Sequence, residues 1–248
     1  MSVYAGQDHI LNHIKNTNWI SLIDVEKVLS EANLRKSWVE ESNALRLAEQ
    51  EERKNRYTKL QAQHNAAFFW LLIKRYFLIN YGEFVHNKTN SRYIEAICYF
   101  FSSDARFETK LGFDFNKGLL IKGNAGLGKT KVIQAISGNE LHPVSIYSLL
   151  DISDKVKENG FFYLNTDRII LLDDVGTEEP TVKHYGTNVN WFKEFIEKYY
   201  LNNKRFSNLL ITTNCGGQEL EDKYGYRVRS RIREMFNVIE LTGKDLRK

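Results

Sequence analysis

The sequence predicts an α/β protein, a three-layered parallel sheet with helices on both faces, preceded by an α-helical N-terminal region. Three observations predict it. From residue 91 onward, short apolar runs of strand length alternate with amphipathic segments, the pattern of strands buried on both faces of a parallel sheet. A glycine-rich loop joins the first of these runs to a helical segment. The first ninety residues instead carry helix formers and no proline, the first in the chain being Pro143.

In chain order, Ile20, Leu22, Ile23, Val25, Val28 and Leu29 approximate a helical stripe with Asn18 as its cap. The polar stretch ALRLAEQEERKNRYTKLQAQ, from Ala44 to Gln63, has few apolar positions and reads as an exposed helix or helical linker. AAFFWLLIKRYFLI follows, apolar almost all round. The plainer reading is a core helix of the N-terminal domain, and the alternative is a surface that holds a partner. YGEFVHNKTN, from Tyr81 to Asn90, breaks the periodicity with Gly82 and two asparagines. A boundary there divides the chain into a helical domain, 1–90, and an α/β domain, 91–248. After the helical RYIEAICYFF, the expected strands are GLLIKG (118–123), VSIY (144–147), RIILLDD (168–174), NLLITTN (208–214) and FNVIEL (236–241).

Composition narrows the class. Of 248 residues, 42% are hydrophobic and 13% aromatic, which excludes a disordered chain. Cys98 and Cys215 are too few for a disulfide framework and lie near no CxxC pair, as in a reducing cytosol. MSVYAGQDHI has no basic segment leading into an apolar one, and the longest apolar run, Ala66 to Ile73, is far too short to span a bilayer. A cytoplasmic protein with no membrane partner is the expectation. The net charge of +4 is spread evenly along the chain, which permits nucleic-acid contact without demanding it.

The chemistry begins at Gly123-Asn124-Ala125-Gly126-Leu127-Gly128-Lys129-Thr130, a match to G-x-x-x-x-G-K-[ST]. It follows the strand-like GLLIK and opens the helical KVIQAI, the context that motif requires. Glycines let backbone N–H groups curl around phosphate oxygens, and the helix N-terminus adds positive potential. Lys129 is expected to reach the β- and γ-phosphates of ATP, and the Thr130 hydroxyl to ligate Mg²⁺. RIILLDDVGTEE then ends a buried strand in two carboxylates. Asp173 is assigned to the metal and Asp174 to polarising the attacking water, with Glu178 an alternative base. Asn214 ends the next strand, where its amide orients that water or serves only as turn chemistry before Gly216-Gly217. In YGYRVRSRIREMF, Arg227 and Arg231 share one helical face and Arg229 and Arg233 another. One face is suited to a neighbour's ATP and the other to a phosphate backbone; the alternative is a solvated basic helix.

Together GNAGLGKT, ILLDDVGTE, LLITTN, YGYRVRSRI and the closing ELTGKDLR resemble the AAA+ ATPases, and within them the DnaC/IstB-like group of helicase loaders and transposition helpers. The resemblance covers roughly residues 92–248. It implies a P-loop core, self-assembly with Arg231 acting in trans as an arginine finger, Arg227 supporting it, and Asn214 at the sensor position. It also implies single-stranded DNA as a ligand, for which Arg229 and Arg233 are the candidate contacts, and a replicative helicase as the partner held by the N-terminal region. Only seven residues follow the last expected strand, too few for the small helical lid that many AAA+ proteins carry. Many members have Glu where Asp174 stands, and the shorter side chain predicts slow hydrolysis stimulated by assembly or DNA. The expected function is ATP-dependent loading of a replicative helicase onto single-stranded DNA. The alternatives are a transposition helper built on the same catalytic residues, or an adaptor that binds ATP without hydrolysing it.

Overall fold

A computed structural model describes residues 22–159, 164, 168–179, 181–184, 187–243 and 245. The chain divides into two compact units, Met1–Thr58 and Lys59–Lys248. Most of the first consists of one long helix, α1 (Leu22–Gln63), which joins the two helical segments expected from the sequence. The cap expected for the first of them, Asn18, and the first residue of its stripe, Ile20, lie outside the described residues. Trp38, Val39, Leu45 and Leu47 of α1 are exposed.

The second unit begins its core with α2 (Ala66–Tyr81), capped by the Asn65 side chain, which accepts from the Phe68 N–H, and closed by Gly82 in the left-handed region. α2 buries Phe69 and Ile73 in one cluster with Tyr93, Ile97 and Phe101 of α3 (Ser91–Phe101). The Phe69 and Phe101 rings lie 5.8 Å apart. The compact division therefore falls at Thr58, and α2 is a core helix of the α/β unit. A short α4 (Arg106–Thr109) leads to the sheet.

The sheet comprises β1 (Gly118–Gly123), β2 (Val144–Ser148), β3 (Ile169–Val175), β6 (Leu209–Thr213) and β7 (Phe236–Leu241), in the order β2-β3-β6-β1-β7. Every pairing is parallel. Period-2 alternation sends successive apolar residues to opposite faces. Leu119, Ile121, Leu171, Leu210 and Ile239 pack against α2, α3 and α5 (Lys129–Ile136). Leu120, Ile170, Leu172, Leu209 and Ile211 pack against α6 (Leu149–Asn159), α7 (Trp191–Asn202), α8 (Gly217–Tyr224) and α9 (Tyr226–Met235). Each such side chain stabilises the fold by roughly 1.5–3 kcal/mol on burial. The three layers are those the sequence predicts. The hairpin of β4 (Val182–His184) and β5 (Thr187–Val189) was not expected, since strands of three residues are too short for alternation to register.

Among the described residues, no helix is long and apolar enough to cross a membrane, and none follows β7. Burial among the α3 side chains, with the Glu95 charge, pushes the Cys98 thiol up to about 12. At pH 8 it is therefore a neutral thiol shut off from solvent. Iodoacetamide at that pH should leave Cys98 unmodified in the native protein and modify it after denaturation, read by peptide mass spectrometry. Equal labelling in both states would contradict the packing of α3.

Candidate active site

The order of strands reverses beside β1, and in open parallel sheets ligands bind at the carboxyl ends of the strands flanking such a reversal. β1 ends at Gly123, the loop crosses that end, and α5 opens at Lys129. Gly126 and Gly128 have φ of +80° and +78°, the left-handed region that only glycine enters without strain, so successive N–H groups can turn inward. The Lys129 side chain is buried and its Nζ donates to Gly123 O (2.7 Å), Asn124 O (2.9 Å) and Asn214 Oδ1 (2.6 Å). The cation thus ties the loop to the end of β6. From α3, the buried Tyr93 hydroxyl donates to Lys129 O at 2.6 Å and fixes the first turn of α5. Sequence reading missed Tyr93, because one aromatic on an apolar helical face looks like any core residue.

The acidic pair depends on a bulge. Against β6, the register of β3 shifts between Leu172, opposite Ile211, and Val175, opposite Thr213. Asp173 and Asp174 therefore oppose the single residue Thr212, and Asp174 takes φ +55°. Strict alternation would aim neighbouring carboxylates at opposite faces of the sheet; the extra residue and the left-handed turn re-aim them. Thr212, fully buried, donates from Oγ1 to Asp173 Oδ1 (2.5 Å) and accepts the Asp174 N–H (2.8 Å). Thr130 Oγ1 donates to the same Asp173 oxygen at 2.7 Å, so the hydroxyl and carboxylate expected at a metal do meet. Burial and the Asp173 charge raise the Asp174 carboxyl above the usual aspartate range, with Lys129 opposing.

Around these groups lies a cavity of about 680 Å³. Ala125 to Val132, Asp174 and Asn214 form one side, and Phe77, Tyr81, Phe84 and Val85 the other. The aromatic wall comes from α2, read as a core helix or partner surface, and from the 81–90 segment, read as a boundary.

Glu178, the alternative base, is buried away from this cavity. Its Oε2 accepts the Gly176 N–H at 2.9 Å and its Oε1 accepts the Tyr224 hydroxyl. The α9 arginines differ in their surroundings within each expected pair. α9 buries Val228, Ile232 and Met235, and the two arginines flanking that stripe are drawn onto neighbouring helices. Arg231 lies 5.0 Å over the Tyr200 ring and 3.7 Å from Glu197 Oε1, both on α7, with 16% of its side chain exposed. Arg229 pairs with Glu221 of α8. Arg227 and Arg233 are exposed. Each predicted pair thus splits into one packed and one free-standing cation.

No protein-family model and no curated protein matches this chain. Among solved structures it is similar to a DnaC helicase loader, 22% identical with a TM-score of 0.45 over 68% of this chain and 99% of that one. It is similar also to DnaI, 23% identical with a TM-score of 0.43 over 65% of this chain and 88% of that one. A third, described as a DNA replication initiation factor, is 22% identical with a TM-score of 0.43, covering 67% of this chain and 49% of that one.

Proposed function

We propose that this chain is an ATPase of the DnaC/IstB-like kind, which assembles with copies of itself and acts on a replicative helicase at single-stranded DNA. The observation that carries the nucleotide reading is that Lys129, Thr130, Asp174 and Asn214 line one cavity, with Asp173 bonded to Thr130 beside it. The residues fit the groups they would hold. A glycine loop at a helix N-terminus, with a buried lysine, suits a polyphosphate. Phe77, Tyr81 and Phe84 line the same cavity with aromatic side chains, a wall suited to a purine. Thr130 and Asp173 present two hard oxygens, as a magnesium site requires. Among the described residues no cluster of three His, Cys, Asp or Glu could hold a metal, so phosphate oxygens and water would complete the shell. Bound there, the ion would neutralise charge on the β- and γ-phosphates. Asp174 accepts the proton of the attacking water, and Asn214, now turned to Lys129, helps to orient it.

Helicase loading rests on the motif resemblance, most of all on YGYRVRSRI and ELTGKDLR. A transposition helper shares this catalytic set, and the partner retained in a pull-down distinguishes the two. Retention of the replicative helicase is the expected result, and retention of a transposase alone would reverse the order.

The assembly is tested through Arg231. To act in trans it must leave Tyr200 and Glu197, so an isolated protomer should be a poor ATPase and activity per protomer should rise with concentration or on single-stranded DNA. Arg231→Ala should bind ATP normally yet lose about a hundredfold in turnover, as when one transition-state donor is removed. Mixed with Lys129→Ala it should recover part of the activity, since one interface then joins an intact pocket to an intact arginine. No recovery at any mixing ratio would contradict action in trans.

A further inference from the structure

The buried carboxylate of Glu178 has no part in the site as described, and its surroundings assign it one. The Asp174 backbone, at φ +55°, occupies a region costly for a residue with a side chain, and it persists only where neighbours over-determine it. From the sheet side, its N–H is held by Thr212 Oγ1. From the other side, its carbonyl accepts from both Thr177 N–H (3.2 Å) and Thr177 Oγ1 (2.7 Å). The turn bearing Thr177 is closed in turn by Glu178, whose Oε2 accepts the Gly176 N–H at 2.9 Å. Glu178 is only 5% exposed, and a carboxylate so placed is tolerated only when its oxygens are hydrogen-bonded. The second bond comes from α8: the Tyr224 hydroxyl donates to Oε1, and beside it Lys223 Nζ donates to Gly176 O. α8 begins three residues after Asn214 at the end of β6, and its far end leads through Gly225 into the arginine-bearing α9.

We propose that Glu178 and Tyr224 form a latch that sets the backbone of Asp174, and so couples α8, and through it the arginine-bearing α9, to the activation of water. Both are positioning residues, acting through the 174–178 turn. The tie fixes where the Asp174 carboxylate sits without touching the phosphate loop. Its loss therefore slows the chemical step and leaves nucleotide affinity in place. This inference rests on the ATPase reading above and assigns Glu178 a role other than base.

The test measures turnover, affinity for a fluorescent ATP analogue with Mg²⁺, and thermal stability of the full chain in wild type, Tyr224→Phe, Glu178→Gln and Asp174→Asn. Tyr224→Phe keeps the ring and removes only the donor. It should lower kcat about tenfold or more, since small misplacements of a reacting group carry penalties of that order, while Kd stays within about twofold. Glu178→Gln keeps an acceptor for Gly176 N–H and an amide that can meet the Tyr224 oxygen. It should retain turnover well above that of Asp174→Asn. Wild-type kcat in Tyr224→Phe would overturn the latch alone. So would kcat, Kd and melting temperature falling together, which marks a merely structural role, or Glu178→Gln as inactive as Asp174→Asn, which would make Glu178 the base. A wild-type chain that neither binds nor hydrolyses ATP would overturn the ATPase reading, and the latch with it.

Discussion

Lys129→Ala should bind Mg²⁺-ATP close to a thousandfold more weakly than wild type. Lys129 is the one cation of the glycine loop, and its two contacts with the β- and γ-phosphates would be charge-assisted. At ~2 kcal/mol each, their loss amounts to ~4 kcal/mol. The substitution has a second consequence that the motif alone does not suggest. In this structure Nζ already joins Gly123 O, Asn124 O and Asn214 Oδ1, so the loop and the end of β6 lose a common tie. A fall of ~1–3 kcal/mol in stability should accompany the loss of affinity. Lys129→Met, which keeps a buried stem and removes the charge, separates the two effects, because affinity should fall as far while stability falls less. Isothermal titration and thermal melts on the three proteins make the comparison. Unchanged affinity in both variants would remove Lys129 from the phosphate site.

Asp174→Asn should bind Mg²⁺-ATP as tightly as wild type and turn it over about a thousandfold more slowly, within the range for loss of a general base. The change preserves shape and the backbone bonds to Thr212 and Thr177, so the bulge should survive. Asp173→Ala should behave in the opposite sense, weakening Mg²⁺-dependent binding because Thr130 loses its partner oxygen. Wild-type turnover in Asp174→Asn would show that another group takes the proton. Glu178, with both oxygens already engaged, is poorly placed to be that group.

The sheet was legible because its strands are buried on both faces. GLLIKG and FNVIEL coincide with β1 and β7, and NLLITTN brackets β6. The phosphate loop was legible because its glycine spacing serves a backbone geometry. What escaped was set by contacts between elements distant in sequence. The bulge arises where Asp173-Asp174 meets one threonine 39 residues on, and nothing in RIILLDD marks an extra residue. Part of the aromatic wall of the cavity was hidden in a segment read as a boundary, since Tyr81 and Phe84 gain meaning only when α2 lies against α5. The arginines were sorted by helical angle alone, whereas Glu221 and Tyr200 decide which of them stand free.

The cavity bounded by Lys129, Asp174, Asn214 and Phe84 should hold one ATP. Calorimetric titration of the wild-type full chain with ATP, with and without Mg²⁺, measures this. Saturable binding at one nucleotide per chain, tightened by Mg²⁺ and lost in Lys129→Met, is the expected result. Absence of saturable binding, or binding that Lys129→Met leaves intact, would contradict it.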